Sequence, residues 1–447
     1  MTAIPLSEGR FTVPGNRWDL LVNIPGRPVS VAVVIPYYNQ QHELDLVLTA
    51  LDAQDYPAEL LNIVIADDGS AQPPTIPAMR VSTTVVRQED CGFRAAAARN
   101  LGAARAEAEV LCFLDADTIP QRDYIRRIVA LPSVCPDALV VGRRRHADFA
   151  EWTPQHLRRW WLAGEAPSEF DEPRWLSETY ARSADLLRIS ADSYRYIISS
   201  VMCCSAELFD YVGGFDEAFR QYGGEDWEFA HRAMISGAVL AHARGAVAWH
   251  NGPDWAGRTI IDRARVKNLE ALAVARVVPG PEARIPGLIY QIPEVAVAVD
   301  ADVHGPGSLV AFLGCFLHLD IGVWLHGARG RALLDKAGLQ DPRIHAGTIP
   351  DAVLRRCRYV VTAVGRAVLP RSVVDQLIAR CGEQGTGTVT ARAGSVSVTC
   401  SASWAMHRRA RWSTGDTRVA IPGDVSRIST TVDIPGQVRE VDLDHPC

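Results

Sequence analysis

Apolar positions in the first 115 residues switch between two periodicities. Val31-Ala32-Val33-Val34-Ile35 is a β-branched run that stops at Pro36, the pattern of a strand covered on both faces. Leu44, Val47, Leu48 and Leu51 then recur at helical spacing, and Tyr56-Pro57 closes that element. A second apolar run, residues 61–66, stops at Asp67-Asp68-Gly69-Ser70. Phe93, Ala97, Leu101 and Ala104 predict one face of a second helix, and Val110-Leu111-Cys112-Phe113-Leu114 predicts a third strand that stops at Asp115. Strand, helix, strand, helix, strand predicts an α/β, Rossmann-like fold with a mainly parallel sheet and helices on both faces.

Further along, residues 309–325 form an apolar stretch that His318 and Asp320 interrupt, which predicts a buried helix or strand pair rather than an integral membrane segment. Pro279, Pro281, Pro286 and Pro293 fall close together and predict a connector over residues 276–307. Beyond it, residues 358–364 predict a strand, 371–380 a helix and 395–399 an alternating strand. The predicted organisation is an N-terminal extension over 1–30, a catalytic domain over 31–275, the connector, and a smaller α/β or α+β domain over 308–447 with no sequence repeat.

Composition narrows the function classes. A chain of 447 residues with 48% hydrophobic content can bury two cores. A net charge of -6 argues against nucleic acid as the main partner, and Arg143-Arg144-Arg145 reads as solvated surface or as contacts to a ligand phosphate. Met1-Thr2-Ala3-Ile4-Pro5 lacks the basic start and apolar core of a signal peptide, so a cytoplasmic location is expected. Ten cysteines include no Cys-x-x-Cys pair, which argues for buried thiols rather than a zinc cluster.

Acids gather where strands end, and open α/β sheets bind ligands at those carboxyl ends. Singly, Asp67-Asp68-Gly69-Ser70 could be a turn, and Asp115 or Asp117 a helix cap. Two acidic strand ends in one sheet, followed by Gly223-Gly224-Glu225-Asp226, point instead to one site. Asp117, with Asp115, offers hard oxygen ligands to manganese or magnesium, which would neutralise charge on the leaving oxygen of a nucleotide-sugar diphosphate. His250 could complete the coordination, and its imidazole favours manganese. Asp226 is the candidate base for an acceptor hydroxyl, with Glu225 binding the acceptor or orienting the site. The same acids suit the first turn of a helix. Trp152, Trp160, Trp161 and Trp175 offer flat rings to a sugar or to a core.

Val33-Val34-Ile35-Pro36-Tyr37-Tyr38-Asn39, Ala66-Asp67-Asp68-Gly69-Ser70, Ala98-Arg99-Asn100-Leu101-Gly102 and Asp115-Ala116-Asp117 resemble the ordered motifs of glycosyltransferase family 2, of the GT-A fold. Residues 213–229 resemble the carboxyl half of the β-1,4-galactosyltransferase and chondroitin-polymerase catalytic domains, and the whole resemblance covers residues 31–255. It implies an inverting, metal-dependent transfer from a nucleotide sugar, commonly a uridine diphosphate sugar, to a hydroxyl; without a multi-span membrane region in the sequence, a soluble acceptor in polysaccharide or specialised-metabolite assembly is expected. It implies that Pro36, Tyr38, Asp67 and Asp68 line the nucleoside pocket, with one of the two aspartates near the base. Arg94 and Arg99 would face the nucleotide, and Asp115 would lie near the ribose or the metal. Asp117 and His250 match metal ligands, and Asp226 matches the catalytic base.

Trp227 and Glu228 replace a more acidic continuation in the galactosyltransferases, so acceptor contacts do not carry over; Trp160, Trp161 and Trp227 are the candidates. A sugar nucleotidyltransferase would need a glycine-rich basic loop where Pro36-Tyr37-Tyr38-Asn39-Gln40 stands. A non-catalytic nucleotide-sugar-binding module would not need every acid retained. Assembly into a homo-oligomer is left open.

Overall fold

The computed structural model describes residues 2–253, 260–393, 396–413, 430–435 and 439–440. They fall into two compact units, one of Met1–Ala233 with Ala238–Ala273, the other of Met234–Gly237 with Val274–Cys447.

The first unit is built on strands β1 (Val31–Tyr37), β2 (Leu61–Asp67), β3 (Ser82–Arg87), β4 (Val110–Leu114), β5 (Thr118–Pro120), β6 (Ala138–Ala147), β7 (Val201–Ser205) and β8 (Val239–Asn251). Their order across the sheet is β3-β2-β1-β4-β7-β6-β8-β5. The first four are parallel, with Val31 level with both Leu61 and Val110. β7 then runs antiparallel between β4 and β6, so the sheet is mixed. The apolar runs of β1, β2 and β4 sit centrally and are buried. The edge strand β3, mostly polar and exposed, carried no burial signal in the sequence.

Helices α1 (Gln41–Asp52) and α2 (Ala95–Arg105) follow β1 and β3. The predicted face of α2 is corrected. Phe93 precedes the helix and is exposed, Ala104 is exposed, and the buried residues are Ala96, Ala97, Ala98, Arg99 and Gly102. A Cβ on Gly102 would stand 2.4 Å from Val34 Cγ1, so small residues let α2 lie close on β1.

Residues 1–30 belong to the first unit rather than extending from it. The Asn16 amide donates to the carbonyls of Leu186 and Leu240 and accepts from the Leu240 N–H at 2.7 Å.

The second unit has strands β9 (Val295–Asp300), β10 (Ile321–His326), β11 (Ile344–Ala346), β12 (Tyr359–Val364), β13 (Thr386–Ala393), β14 (Val396–Ala402) and β15 (Thr430–Pro435), ordered β11-β10-β9-β12-β14-β13-β15. Four parallel strands followed by an antiparallel one repeat the plan of the first sheet. Here the fourth strand ends Val364-Gly365-Arg366, with no carboxylate where the first unit has Asp115 and Asp117.

The predicted connector is therefore part of this unit. Pro281 and Pro286 occupy turns, while Val295 and Val297 pack in the core of the second sheet. Arg284, buried, donates to the carbonyls of Ala275 and Ile292 and pairs with Asp320 at 2.7 Å. Among the described residues, no helix is long and apolar enough to cross a membrane. Residues 309–325 cover most of a helix, Pro306–Phe316, and most of β10.

Candidate active site

At the carboxyl ends of β1 and β4, the first unit encloses a cavity of about 890 Å³. Pro36, Tyr38, Asp68, Arg99, Asp115, Asp117, Glu225, Asp226 and Trp227 all line it. Contributions separated by nearly two hundred residues thus meet in one space, within the range of small-molecule sites.

Strand register makes the Asp117 end. β8 pairs antiparallel with β5, setting His250 opposite Thr118, and His250 Nε2 comes within 3.4 Å of Asp117 Oδ2. The backbone carbonyl of Gly252 lies 3.2 Å from His250 Nδ1; a carbonyl only accepts, so Nδ1 carries the proton and Nε2 faces the carboxylate. Burial alone would push the Asp117 carboxyl up, but the imidazole outweighs it and holds the carboxyl below its ordinary range. The imidazole is raised in turn, since Asp117 overcomes its burial. Carboxylate oxygen and imidazole nitrogen are a donor set that suits a divalent cation such as manganese. Among the described residues no group of three histidine, cysteine or acid side chains converges to hold one.

The two aspartates at the end of β2 separate by role. Asp67 is fully buried, accepts the Ser70 N–H at 2.8 Å and lies 3.4 Å from Arg87 Nε, which shapes the turn. Asp68 faces the cavity, accepting from the Arg94 N–H at 2.9 Å and the Gln88 amide at 2.6 Å. Arg94 itself turns its guanidinium to the Glu89 carbonyl and is absent from the lining.

The Glu225-Asp226 end rests on helix α4 (Glu225–Ile235). Gly223 and Gly224 adopt φ of +87° and +96°, and a Cβ on Gly223 would lie 2.8 Å from Glu270 Oε2. Asn100 on α2 accepts the Phe215 N–H at 2.8 Å and donates to Glu217, tying the Ala98-Arg99-Asn100 motif to residues 213–217. Glu228 forms a buried pair with Arg232, which donates to the carbonyls of Val212 and Gly214. Glu228 therefore braces the loop before α4.

Arg99 connects the two ends, 2.8 Å from Asp115 Oδ1 and 3.0 Å from Glu225 Oε1. Burial works against its charge, but the two carboxylates outweigh that and raise its pKa. Glu225 Oε2 is buried with no hydrogen-bond partner among the described residues. Burial, followed by the neighbouring Glu225 charge, pushes the Asp226 carboxyl up to about 7.

Other lining residues were left unresolved by the sequence, as with Arg144 and Trp175, or missed, as with Lys267, Glu270 and Tyr222. Arg143 and Arg145 pair with Glu172, and Arg145 also with Glu169, whereas Arg144 points into the cavity. The two-residue period of strand β6 could have separated them. Lys267 and Glu270, on α5 (Ile260–Val277), pair at 2.8 Å beside Trp227, whose ring centre lies 5.0 Å from the Lys267 ammonium. Nothing local marks them. Trp175 and Tyr222 complete an aromatic rim.

Trp160 and Trp161, expected to meet an acceptor, do not line this cavity; they line a second one of about 530 Å³. Trp160 is held there edge-on to Trp152 and Trp249.

Residues 32–194 match the family model "Glycosyl transferase family 2", and residues 181–247 match "N-terminal domain of galactosyltransferase". The chain is 27% identical over 325 residues to the chondroitin synthase of Pasteurella multocida (strain Pm70), covering 67% of this chain and 33% of that protein. It is 26% identical over 301 residues to the chondroitin synthase of Escherichia coli, covering 62% and 43%. With the validoxylamine A glucosyltransferase of Streptomyces hygroscopicus subsp. limoneus it shares 32% identity over 230 residues, covering 48% and 50%. The alignments thus span between a third and a half of the length of these relatives.

Proposed function

We propose that the first unit is a family 2 glycosyltransferase domain of the GT-A fold, which transfers a sugar from a nucleoside-diphosphate donor to a hydroxyl by metal-assisted single displacement, with inversion. The observation that carries this reading is one cavity lined both by Asp117, which His250 backs at 3.4 Å, and by Asp226, its carboxyl raised to about 7. In this reading Pro36, Tyr38 and Asp68 receive the nucleoside, and uridine diphosphate is the carrier.

Asp117 and His250 would hold a manganese or magnesium ion, with phosphate oxygens and water as further ligands. When bound, the ion neutralises charge on the departing diphosphate. Arg144 adds a fixed cation beside Asp117. Asp226 takes the acceptor proton as the hydroxyl attacks, and its raised pKa suits a base near neutral pH. Glu225 Oε2, without a partner among the described residues, accepts a hydrogen bond from the acceptor. Trp175, Tyr222 and Trp227 give that acceptor apolar faces, as a sugar or a cyclitol requires. The names of the relatives above support a polysaccharide or specialised-metabolite product.

The test is a panel of nucleotide sugars with manganese, reading thermal shift, released nucleoside diphosphate and transferred sugar. Release with at least one donor is expected. A shift without release or transfer from any donor would reduce the unit to a binding module.

A further inference from the structure

The tryptophans that the transfer reaction leaves unused line a second cavity, of about 530 Å³. Its walls come from the loop after α1 with Asp55, the segment after β5 with Arg122, Asp123 and Arg126, and helix α3 (Pro154–Ala163) with Trp160 and Trp161.

Three features of these walls point to one class of ligand. Trp160 and Trp161 offer ring surface, and the Trp161 Nε1–H is buried with no acceptor among the described residues. Arg126 is committed to Asp55 and Asp123, and Arg127 also pairs with Asp123. Arg122 makes one weak contact, to the Ala53 carbonyl at 3.4 Å, and no ion pair with a described residue. Among the lining residues two guanidinium groups stand beside two carboxylates, and Arg122 is the one without an ion pair to a described residue.

Indole faces, a buried indole donor, committed acids and an uncommitted guanidinium fork together suit a sugar ring that carries a carboxylate. We propose that this cavity is a secondary glycan site that takes a carboxylated sugar unit, separate from the transfer cavity. The ring stacks on the tryptophans, its oxygen accepts from Trp161 Nε1, and its carboxylate pairs with Arg122. The paired carboxylates of Asp55 and Asp123 remain available to ring hydroxyls.

Calorimetry on the full chain, without metal or donor, tests this with a galacturonate hexamer and with maltohexaose. The galacturonate hexamer is expected to bind about tenfold more tightly than the neutral one, the ratio of a charge-assisted contact. Arg122→Gln should erase that preference, Trp161→Ala should weaken both oligomers, and saturating nucleoside diphosphate should displace neither. Failure of the galacturonate hexamer to bind, equal affinity for both oligomers, or displacement by the nucleotide overturns the proposal. Because the assay involves no turnover, the transfer reaction stands or falls separately.

Discussion

Arg99 and Glu225, 126 positions apart in the chain, meet at 3.0 Å inside the protein, and the same guanidinium holds Asp115 at 2.8 Å. One buried cation thus braces the end of β4 against the start of α4. Arg99→Met would leave Glu225 buried and unpaired, a loss of about 3–5 kcal/mol for breaking such a pair. Denaturant unfolding should register that drop, and Arg99→Lys, which lacks the fork geometry, should recover only part of it. Stability unchanged in the methionine variant would show that the pair contributes no net stabilisation.

Asp226→Asn keeps the shape of the side chain and removes the base. Turnover should fall by about a hundredfold or more, the usual contribution of a positioned proton acceptor, while nucleotide affinity stays nearly constant. Single-turnover kinetics alongside nucleotide titration separates the two. Undiminished turnover would take Asp226 out of the role.

The acid limb of the rate profile follows from the same residue. Asp226 acts only when deprotonated, and burial with the Glu225 charge places its pKa near 7, so kcat/KM should decline as pH falls through about 7. Glu225→Gln removes the neighbouring negative charge, which lowers the Asp226 pKa and moves the limb to lower pH. A limb that stays in place would show that burial alone sets the pKa.

Arg144 reaches the cavity beside Asp117, so its neutralisation should affect the phosphates and spare the nucleoside. For Arg144→Gln, nucleoside diphosphate affinity should weaken about tenfold, the scale of one charge-assisted contact, with nucleoside monophosphate affinity nearly unchanged. Equal losses for both ligands would place Arg144 elsewhere in the binding event.

Much of this arrangement was legible beforehand because it is local. An apolar run that stops at Asp67 or Asp115 reveals both the strand and the end of the sheet at which its acid emerges. Gly223-Gly224-Glu225-Asp226 likewise carries its own backbone requirement, the two positive φ values ahead of α4. Other features had no such local mark. The edge strand Ser82–Arg87 buries too little to show a pattern, and alanines in α2 hide which face packs. Prolines made residues 276–307 look like a connector although Val295–Asp300 is interior to a sheet.

From its residues in order, then, the chain specifies its first three central strands, the acids at their ends, and the glycine-preceded pair that follows. Each depends on neighbours within a few positions, where periodicity and backbone preference act. Folding alone assigns Asp68 to the cavity and Asp67 to a turn, turns Arg144 away from its two basic neighbours, and buries Arg99 between Asp115 and Glu225. Folding also carries Trp160 and Trp161 to a different cavity and repeats the sheet plan in the second unit. These outcomes depend on strand register and on contacts across more than a hundred residues, where a side chain's surroundings come from parts of the chain that its own neighbourhood does not encode.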